Sequence, residues 1–344
     1  MNSLLFIASN IGNKNSAPFT RSNEFSKVFQ EKGFVLRGKA KLKKALSLPA
    51  LDFLYMETAP HRITFGDFWA LLLLRTKTKF IVIYIRDVYC EFFKEEYKGI
   101  RRKISLVANR ISYFLFALIS DYLVFPSIEM GNYFYLKNKF PVRKYTNLPP
   151  GVPIPEKNRK NPDFNKKTGV LYLGNPNYTN SGFDFFLKFA KICNDKFNFY
   201  ILTADKESFK DKPYITADFI DHKEIVTFLE SNNVAFAIHT RPRNGYDDIT
   251  IPIKAMDFIS LNLPFITDEH KPLKQILGDN YPFYCEMDEK KVFELINQYN
   301  SLEKYKVLYN YIENILIENT YYKRYEKLTK LYKEGTAYFQ QERF

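Results

Sequence analysis

Short apolar runs alternate with amphipathic stretches along nearly the whole chain, and this alternation limits the fold more than any other feature. Leu4–Ala8, Phe34–Leu36, Asp52–Met56, Phe80–Ile85 and Tyr122–Phe125 read as strands, and a further short strand ends at Leu148. Arg21–Lys32 reads as a helix, with Phe25, Val28 and Phe29 on one face and Gly33 as its stop. Phe65–Leu74, residues 100–120 and Ile128–Lys139 read as further helices. Continuously apolar strands that each feed a helix are buried on both faces, which predicts a parallel, doubly wound α/β sheet.

The pattern breaks at Pro149-Pro150-Gly151-Val152-Pro153-Ile154-Pro155, and five prolines fall between 149 and 162. This is the clearest linker in the chain, placed at 151–168. Alternation resumes at Gly169-Val170-Leu171-Tyr172-Leu173-Gly174. Helix 182–193, strand Phe197–Leu202, helix 222–231, strand Val234–Ile238, helix 252–260 and strand Pro264–Ile266 follow, then helices from about 289 to 340. The reading is an α/β chain of two Rossmann-like domains facing each other across a cleft. They span 1–150 and 169–324, with a last helix, about 325–344, packing back onto the first domain. A ligand then sits at the carboxyl ends of the strands.

Charge is unevenly divided. Residues 1–150 hold 24 Lys and Arg against 11 Asp and Glu, while the remainder balances 27 against 27. All of the +13 excess therefore lies in the first half, which points to an anionic partner there: nucleic acid, an anionic membrane surface or a lipid-phosphate acceptor, or another phosphorylated substrate. The basic clusters are Lys39-Ala40-Lys41-Leu42-Lys43-Lys44, Arg75-Thr76-Lys77-Thr78-Lys79 and Arg101-Arg102-Lys103. Three widely spaced cysteines, Cys90, Cys193 and Cys285, form neither a disulfide framework nor a paired-cysteine zinc site. The opening residues lack the basic start of a signal peptide, so the expectation is a cytoplasmic protein, peripheral at most to a membrane. Ile104 to Phe125 is too interrupted to span a bilayer. Its Ile104, Val107, Ala108, Ile111, Leu115, Leu118 and Ile119 have helical spacing, which fits a core helix or one lying in a membrane interface; the core reading is the simpler.

Several chemistries leave no trace. The sequence has no G-x-G-x-x-G after its first strand, no phosphate-binding G-x-x-x-x-G-K-[ST], and no G-x-S-x-G elbow. His61, His222, His239 and His270 show no metal spacing, and no D-x-D occurs. No metal and no cofactor is expected. The constellation that remains runs from Ile238 to Thr267. A buried strand ends at Ile238, a loop with Arg241 and Arg243 follows, and a helix starts near Pro252. Lys254 lies in its first turn and Asp257 one turn on. A diphosphate can be held by the helix start with Lys254 or an arginine, and Asp257 can accept from a ribose diol.

Here the residues resemble a family. Pro252-Ile253-Lys254-Ala255-Met256-Asp257-Phe258, closing with Pro264-Phe265-Ile266, resembles the donor motif of GT-B glycosyltransferases, nearest the retaining family four. Ile85-Arg86-Asp87-Val88-Tyr89, Ser120-Asp121-Tyr122 through Ser127, Leu148-Pro149-Pro150-Gly151-Val152 and Leu171-Tyr172-Leu173-Gly174-Asn175 resemble its other motifs in the same order. The resemblance implies transfer of a sugar from a nucleotide diphosphate sugar to a glycan or lipid-linked acceptor, metal-independent and retaining.

On that reading the donor side comprises Gly174, Asn175, Thr203, Arg243, Asp248, Thr250, Lys254 and Asp257, with Lys254 and Arg241 meeting the departing diphosphate. Asp87 is the candidate general base if configuration inverts, with Glu57 and His61 next. Gly12, Arg21, Glu57, His61 and Arg86 mark the acceptor side. The motif departs from the family at Ile249, where the first of two glutamates falls, and at Asn175 and Asn177, which replace basic residues. A nucleic-acid-binding protein and a nucleotide-sugar epimerase of the same architecture are the alternatives; the former lacks any recognition motif, so no nucleic-acid partner is expected.

Overall fold

The computed structural model describes residues 1–8, 17–38, 41–58, 63–88, 92, 99–138, 144–155, 157, 159–177, 181–221, 224–242 and 244–341. The chain divides into two compact units. The first is Met1–Gly151 with Gly245–Ile251 and Asn319–Phe344; the second is Val152–Asn244 with Pro252–Glu318.

In the first unit, strands β1 (Ser3–Ile7), β2 (Gly33–Leu36), β3 (Leu51–Glu57), β4 (Thr78–Tyr84), β5 (Tyr122–Phe125) and β6 (Tyr145–Asn147) form one sheet in the order β2-β1-β3-β4-β5-β6. Every pairing is parallel, with Leu5 opposite Tyr55 and Tyr55 opposite Val82. Helices cover both faces, as the unbroken apolar strands require. α1 (Ala17–Lys32) and the last helix, α12 (Tyr321–Gln341), supply Phe25, Val28, Phe29, Tyr321 and Leu328 to one side. α2 (Lys41–Ser47), α3 (Phe65–Lys77), α4 (Ile100–Ile119) and α5 (Ile128–Asn138) cover the other, with Ala45, Leu71, Leu74, Phe116 and Phe134 in its core.

Two expectations change here. The apolar stripe of α4 does not face the sheet. Ile104, Val107, Ile111 and Leu118 are exposed, while Asn109, Ser112, Tyr113, Phe116 and Ala117 are buried. The basic clusters are also partly consumed by the fold. Lys41 is buried against Asp67 at 2.5 Å and donates to the Ile7 carbonyl. Arg75 pairs with Asp121 and Lys79 with Asp52, and Lys77 closes the carbonyls of Leu46 and Leu48.

In the second unit β7 (Gly169–Leu173), β8 (Asn198–Leu202), β9 (Thr216–Asp218), β10 (Val234–His239) and β11 (Phe265–Thr267) form an all-parallel sheet ordered β11-β10-β7-β8-β9. Strand order reverses between β7 and β10. α6 (Phe183–Cys193), α7 (Ile225–Ser231), α8 (Ile253–Ser260), α9 (Lys271–Leu277), α10 (Glu289–Tyr299) and α11 (Leu302–Glu318) accompany it. Asp288 caps α10 by accepting from the Lys291 amide at 3.0 Å. The Pro-rich stretch is anchored to this unit soon after it begins. Buried Arg159 donates to the carbonyls of Val234 and Asn262 and to the Tyr305 hydroxyl, and Glu230 holds Lys157 and the Lys160 amide.

Candidate functional site

In a doubly wound sheet, ligands bind beyond the strand ends where strand order reverses. In the second unit that point lies past β7 and β10. Gly174 follows β7 with φ +114°, and a Cβ there would stand 2.4 Å from Lys254 Cε and 2.8 Å from Nζ. The glycine therefore leaves room for the Lys254 stem to cross the end of β7. Lys254, the second residue of α8, donates to the Tyr172 hydroxyl at 3.1 Å and lies 4.6 Å from the centre of its ring. The neighbouring loop is fastened over the end of β10. The Thr240 hydroxyl donates to the Ser181 carbonyl at 2.8 Å, and a Cβ on Gly182, at φ +62°, would collide with the Thr240 carbonyl oxygen.

This corner is cationic. Burial, helped by the Arg241 charge and opposed by Asp257, pushes the Lys254 ammonium down to about 8. Burial pushes the Asp257 carboxyl up to about 7 against the pull of Lys254. His239, the last residue of β10, is buried, and its Nδ1 lies 3.2 Å from the Thr267 hydroxyl. Burial, with His270, Lys254 and Arg241 nearby, holds its imidazole well below the usual histidine value, so the ring is neutral. The arrangement is suited to an anion. In partly desolvated surroundings a lysine and an arginine interact with a diphosphate more strongly than they would in water.

The structure brings Gly174, Arg241, Lys254 and Asp257 together in the second unit. Other donor-side candidates take different positions. Asn175 is exposed and its side chain accepts from the Asn177 amide, an Asx turn. Thr203 closes the turn after β8 by accepting from the Asp205 amide at 3.2 Å. Asp248 and Thr250 belong to the segment that packs in the first unit, where the Thr250 hydroxyl donates to the Tyr246 carbonyl. Arg243, Gly12 and His61 lie outside the described residues.

The acceptor-side candidates of the first unit converge beyond β3 and β4. Glu57 ends β3 fully buried, with Arg21 Nη2 at 3.2 Å, Arg324 Nη2 at 3.4 Å and the Tyr55 hydroxyl at 3.1 Å. The two arginines and the Tyr55 hydrogen bond hold its carboxyl below the ordinary value despite burial. These buried ion pairs tie Glu57 to the helices that carry Arg21 and Arg324. Arg324, from α12, also reaches the carbonyls of Leu148 and Pro149 and the Tyr55 hydroxyl. Arg86 stands two residues past β4. Among the described residues its buried Nη1 has no hydrogen-bond partner, and burial next to Arg21 pushes its guanidinium down to about 10. Asp87 accepts from the Tyr246 hydroxyl on both carboxylate oxygens, each at 2.9 Å.

Sequence reasoning passed over Tyr172, Ser181, His239 and Arg324. Tyr172 and His239 look like ordinary strand residues, and only their places near strand ends, with β7 and β10 adjacent, bring them to Lys254. Arg324 lies 267 positions from Glu57, a separation that no local pattern bridges. Among the described residues no group of three His, Cys, Asp or Glu side chains could hold a metal ion, and no helix is long and apolar enough to cross a membrane.

No family model matches the chain, and no curated protein matches it. Solved structures do. An α-glucosyltransferase in complex with UDP and a 13-mer DNA containing a HMU base aligns at TM-score 0.63 and 13% identity, over 95% of this chain and 99% of that one. A glycosyltransferase from Rickettsia africae aligns at TM-score 0.60 and 10% identity, over 97% and 98%. The fold is GT-B. The GtfA/B complex aligns at TM-score 0.54 and 10% identity over 85% of this chain, which spans 59% of the length of that one. At these identities the likeness is one of fold, and the chemistry rests on the residues just described.

Proposed function

We propose that the protein is a glycosyltransferase that moves a sugar from a nucleotide diphosphate sugar to a glycan or lipid-linked acceptor. The observation that carries this reading is Lys254, held against Tyr172 and beside Arg241 where the strand order of the second sheet reverses. When the sugar leaves, negative charge builds on the diphosphate. Lys254 and Arg241 stabilise that charge without a metal ion. Asp257 accepts from the ribose diol of the nucleotide. The bound UDP of the α-glucosyltransferase that shares this fold supports a uridine nucleotide as the first donor to test.

In the first unit we assign Arg86 to an anionic group of the acceptor, because its buried Nη1 has no hydrogen-bond partner among the described residues. Retention of configuration, as in the enzymes of family four, fits the use of Asp87 to hold Tyr246 rather than to accept a proton. The test is incubation with a panel of nucleotide sugars and measurement of free nucleoside diphosphate. Lys254→Ala removes a charge-assisted contact to the leaving group and should lower kcat by roughly 10²–10³. A folded Lys254→Ala variant with full activity refutes the assignment, and release from no donor refutes the reaction class.

A further inference from the structure

The helix α4 is built inside out. Toward the sheet it buries Asn109 and Ser112 together with Tyr113, Phe116 and Ala117; away from it stand Ile100, Ile104, Val107, Ile111, Phe114 and Leu118, from 42% to 79% exposed. These six recur every four and three residues, so they form one continuous stripe along a 20-residue helix. Covering such a stripe removes apolar surface from water, and a contiguous exposed patch marks an interaction site.

The charges of the same helix say what covers it. α4 carries Arg101, Arg102, Lys103 and Arg110 and no acidic residue, and Arg102, Lys103 and Arg110 are exposed. Spacing by four and three also suits a helix of a second copy. A second α4, however, offers these cations no carboxylate, whereas a phospholipid surface offers phosphates. Exposed aromatics also stand on α3, the helix that follows Ile63. Ser112 of α4 accepts from the Ile63 amide at 2.9 Å, just before α3, and the first turns of α3 expose Phe65 and Trp69, whose rings pair at 5.8 Å. Tryptophan and phenylalanine beside basic side chains suit the boundary between headgroups and acyl chains.

We propose that the outward face of α4, with Phe65 and Trp69, docks the first unit onto an anionic lipid surface, the helix lying in the plane of the headgroups. The stripe enters the acyl boundary while Arg102, Lys103 and Arg110 meet lipid phosphates. The helix lies on the bilayer and does not cross it, consistent with the lack of any described helix apolar enough to do so.

Trp69 is the only tryptophan, so its emission reports the docking directly. The full chain is mixed with vesicles of phosphatidylcholine alone and of phosphatidylcholine with phosphatidylglycerol, and binding is followed by co-sedimentation and Trp69 emission. The expected result is binding to the mixed vesicles, a blue shift, and weakening as salt rises. Ile104→Gln/Ile111→Gln should lower partitioning about tenfold or more. Arg102→Gln/Lys103→Gln should erase the preference for anionic lipid. Both pairs are exposed, so circular dichroism melts should match the parent. Equal, salt-insensitive binding to both vesicle types overturns the proposal, as do unaltered binding by the variants and no binding at all. Dimers in sedimentation equilibrium that dissolve in Ile104→Gln/Ile111→Gln, without vesicle binding, assign the stripe to a second copy instead. No sugar donor enters these measurements, so their failure leaves the transfer reaction standing.

Discussion

Replacing Gly174 by alanine tests whether Lys254 is the group that meets the donor. The new Cβ would stand 2.4 Å from Lys254 Cε and 2.8 Å from Nζ. Non-bonded carbons settle at ~3.5–4.0 Å, so the end of the lysine must retreat by about 1 Å. The obstructed atoms are the tip of a flexible side chain, and the fold survives their displacement. The backbone cost of a side chain at φ +114° is ~1–2 kcal/mol, against a total stability of ~5–15 kcal/mol for a typical domain. The same retreat breaks the 3.1 Å hydrogen bond to Tyr172. Misplacing a catalytic group by ~1 Å lowers rates by up to about 10². The assay is the initial rate of nucleoside diphosphate release, with a thermal melt of each variant, for Gly174→Ala, Lys254→Ala and the double variant. If Gly174 acts through Lys254, the double variant is no slower than Lys254→Ala alone. Full activity in Gly174→Ala, or a double variant in which the two losses multiply, refutes the reasoning.

Two further outcomes follow from the charges. Lys254 is cationic below about 8 and Asp257 anionic above about 7, so affinity for a nucleoside diphosphate should peak between those values and fall on both sides. Calorimetry across this range checks it: Lys254→Gln should flatten the alkaline limb and Asp257→Asn the acid limb, and a flat profile in the parent chain removes both groups from the site. Glu57→Gln leaves Arg21 and Arg324 facing a neutral amide in the core and should cost ~3–5 kcal/mol in urea unfolding. Because the Glu57 carboxyl is depressed in the fold, its contribution is present above the ordinary carboxyl range and disappears as pH falls through the folded value. The variant should therefore lose stability less steeply in acid than the parent, and identical acid profiles would place that loss in other carboxyls.

The strands were the most legible part of the chain, because a parallel strand buried on both faces must be apolar at every position. Tyr122–Phe125 and Gly169–Leu173 stand in the structure where the apolar runs predict them. α2 was hidden, since Lys41-Leu42-Lys43-Lys44 reads as a solvated charge run until Asp67 arrives from α3 to bury Lys41. Three-residue β9 and seven-residue α9 were not read from the sequence. The α4 stripe shows what periodicity leaves open: it establishes that one face is apolar, not which face meets the sheet. Asn109 and Ser112 could turn inward, the latter by donating to the Ala108 carbonyl and accepting from Ile63. At the candidate site, Lys254 and Gly174 were legible because a strand end and a helix start locate themselves in sequence. Tyr172, His239 and Arg324 were not, because their partners come from distant segments.

The return of α12 to the first sheet has a consequence for how the protein is made. Tyr321 and Leu328 complete the cluster that also holds Phe25, Phe53 and Tyr84, and Arg324 supplies one of the two cations that hold Glu57. Translation delivers β1 to β6 long before it delivers α12. While the second unit is being synthesised, the earlier sheet has one face covered by α1 without its companion, and the Glu57 carboxylate lacks Arg324. The first half to leave the ribosome is thus the last to be finished. Its nascent sheet is the stage most open to mispairing and most dependent on chaperones, and a premature stop shortly before Tyr321 would cripple the N-terminal half while leaving every residue of its sheet in place.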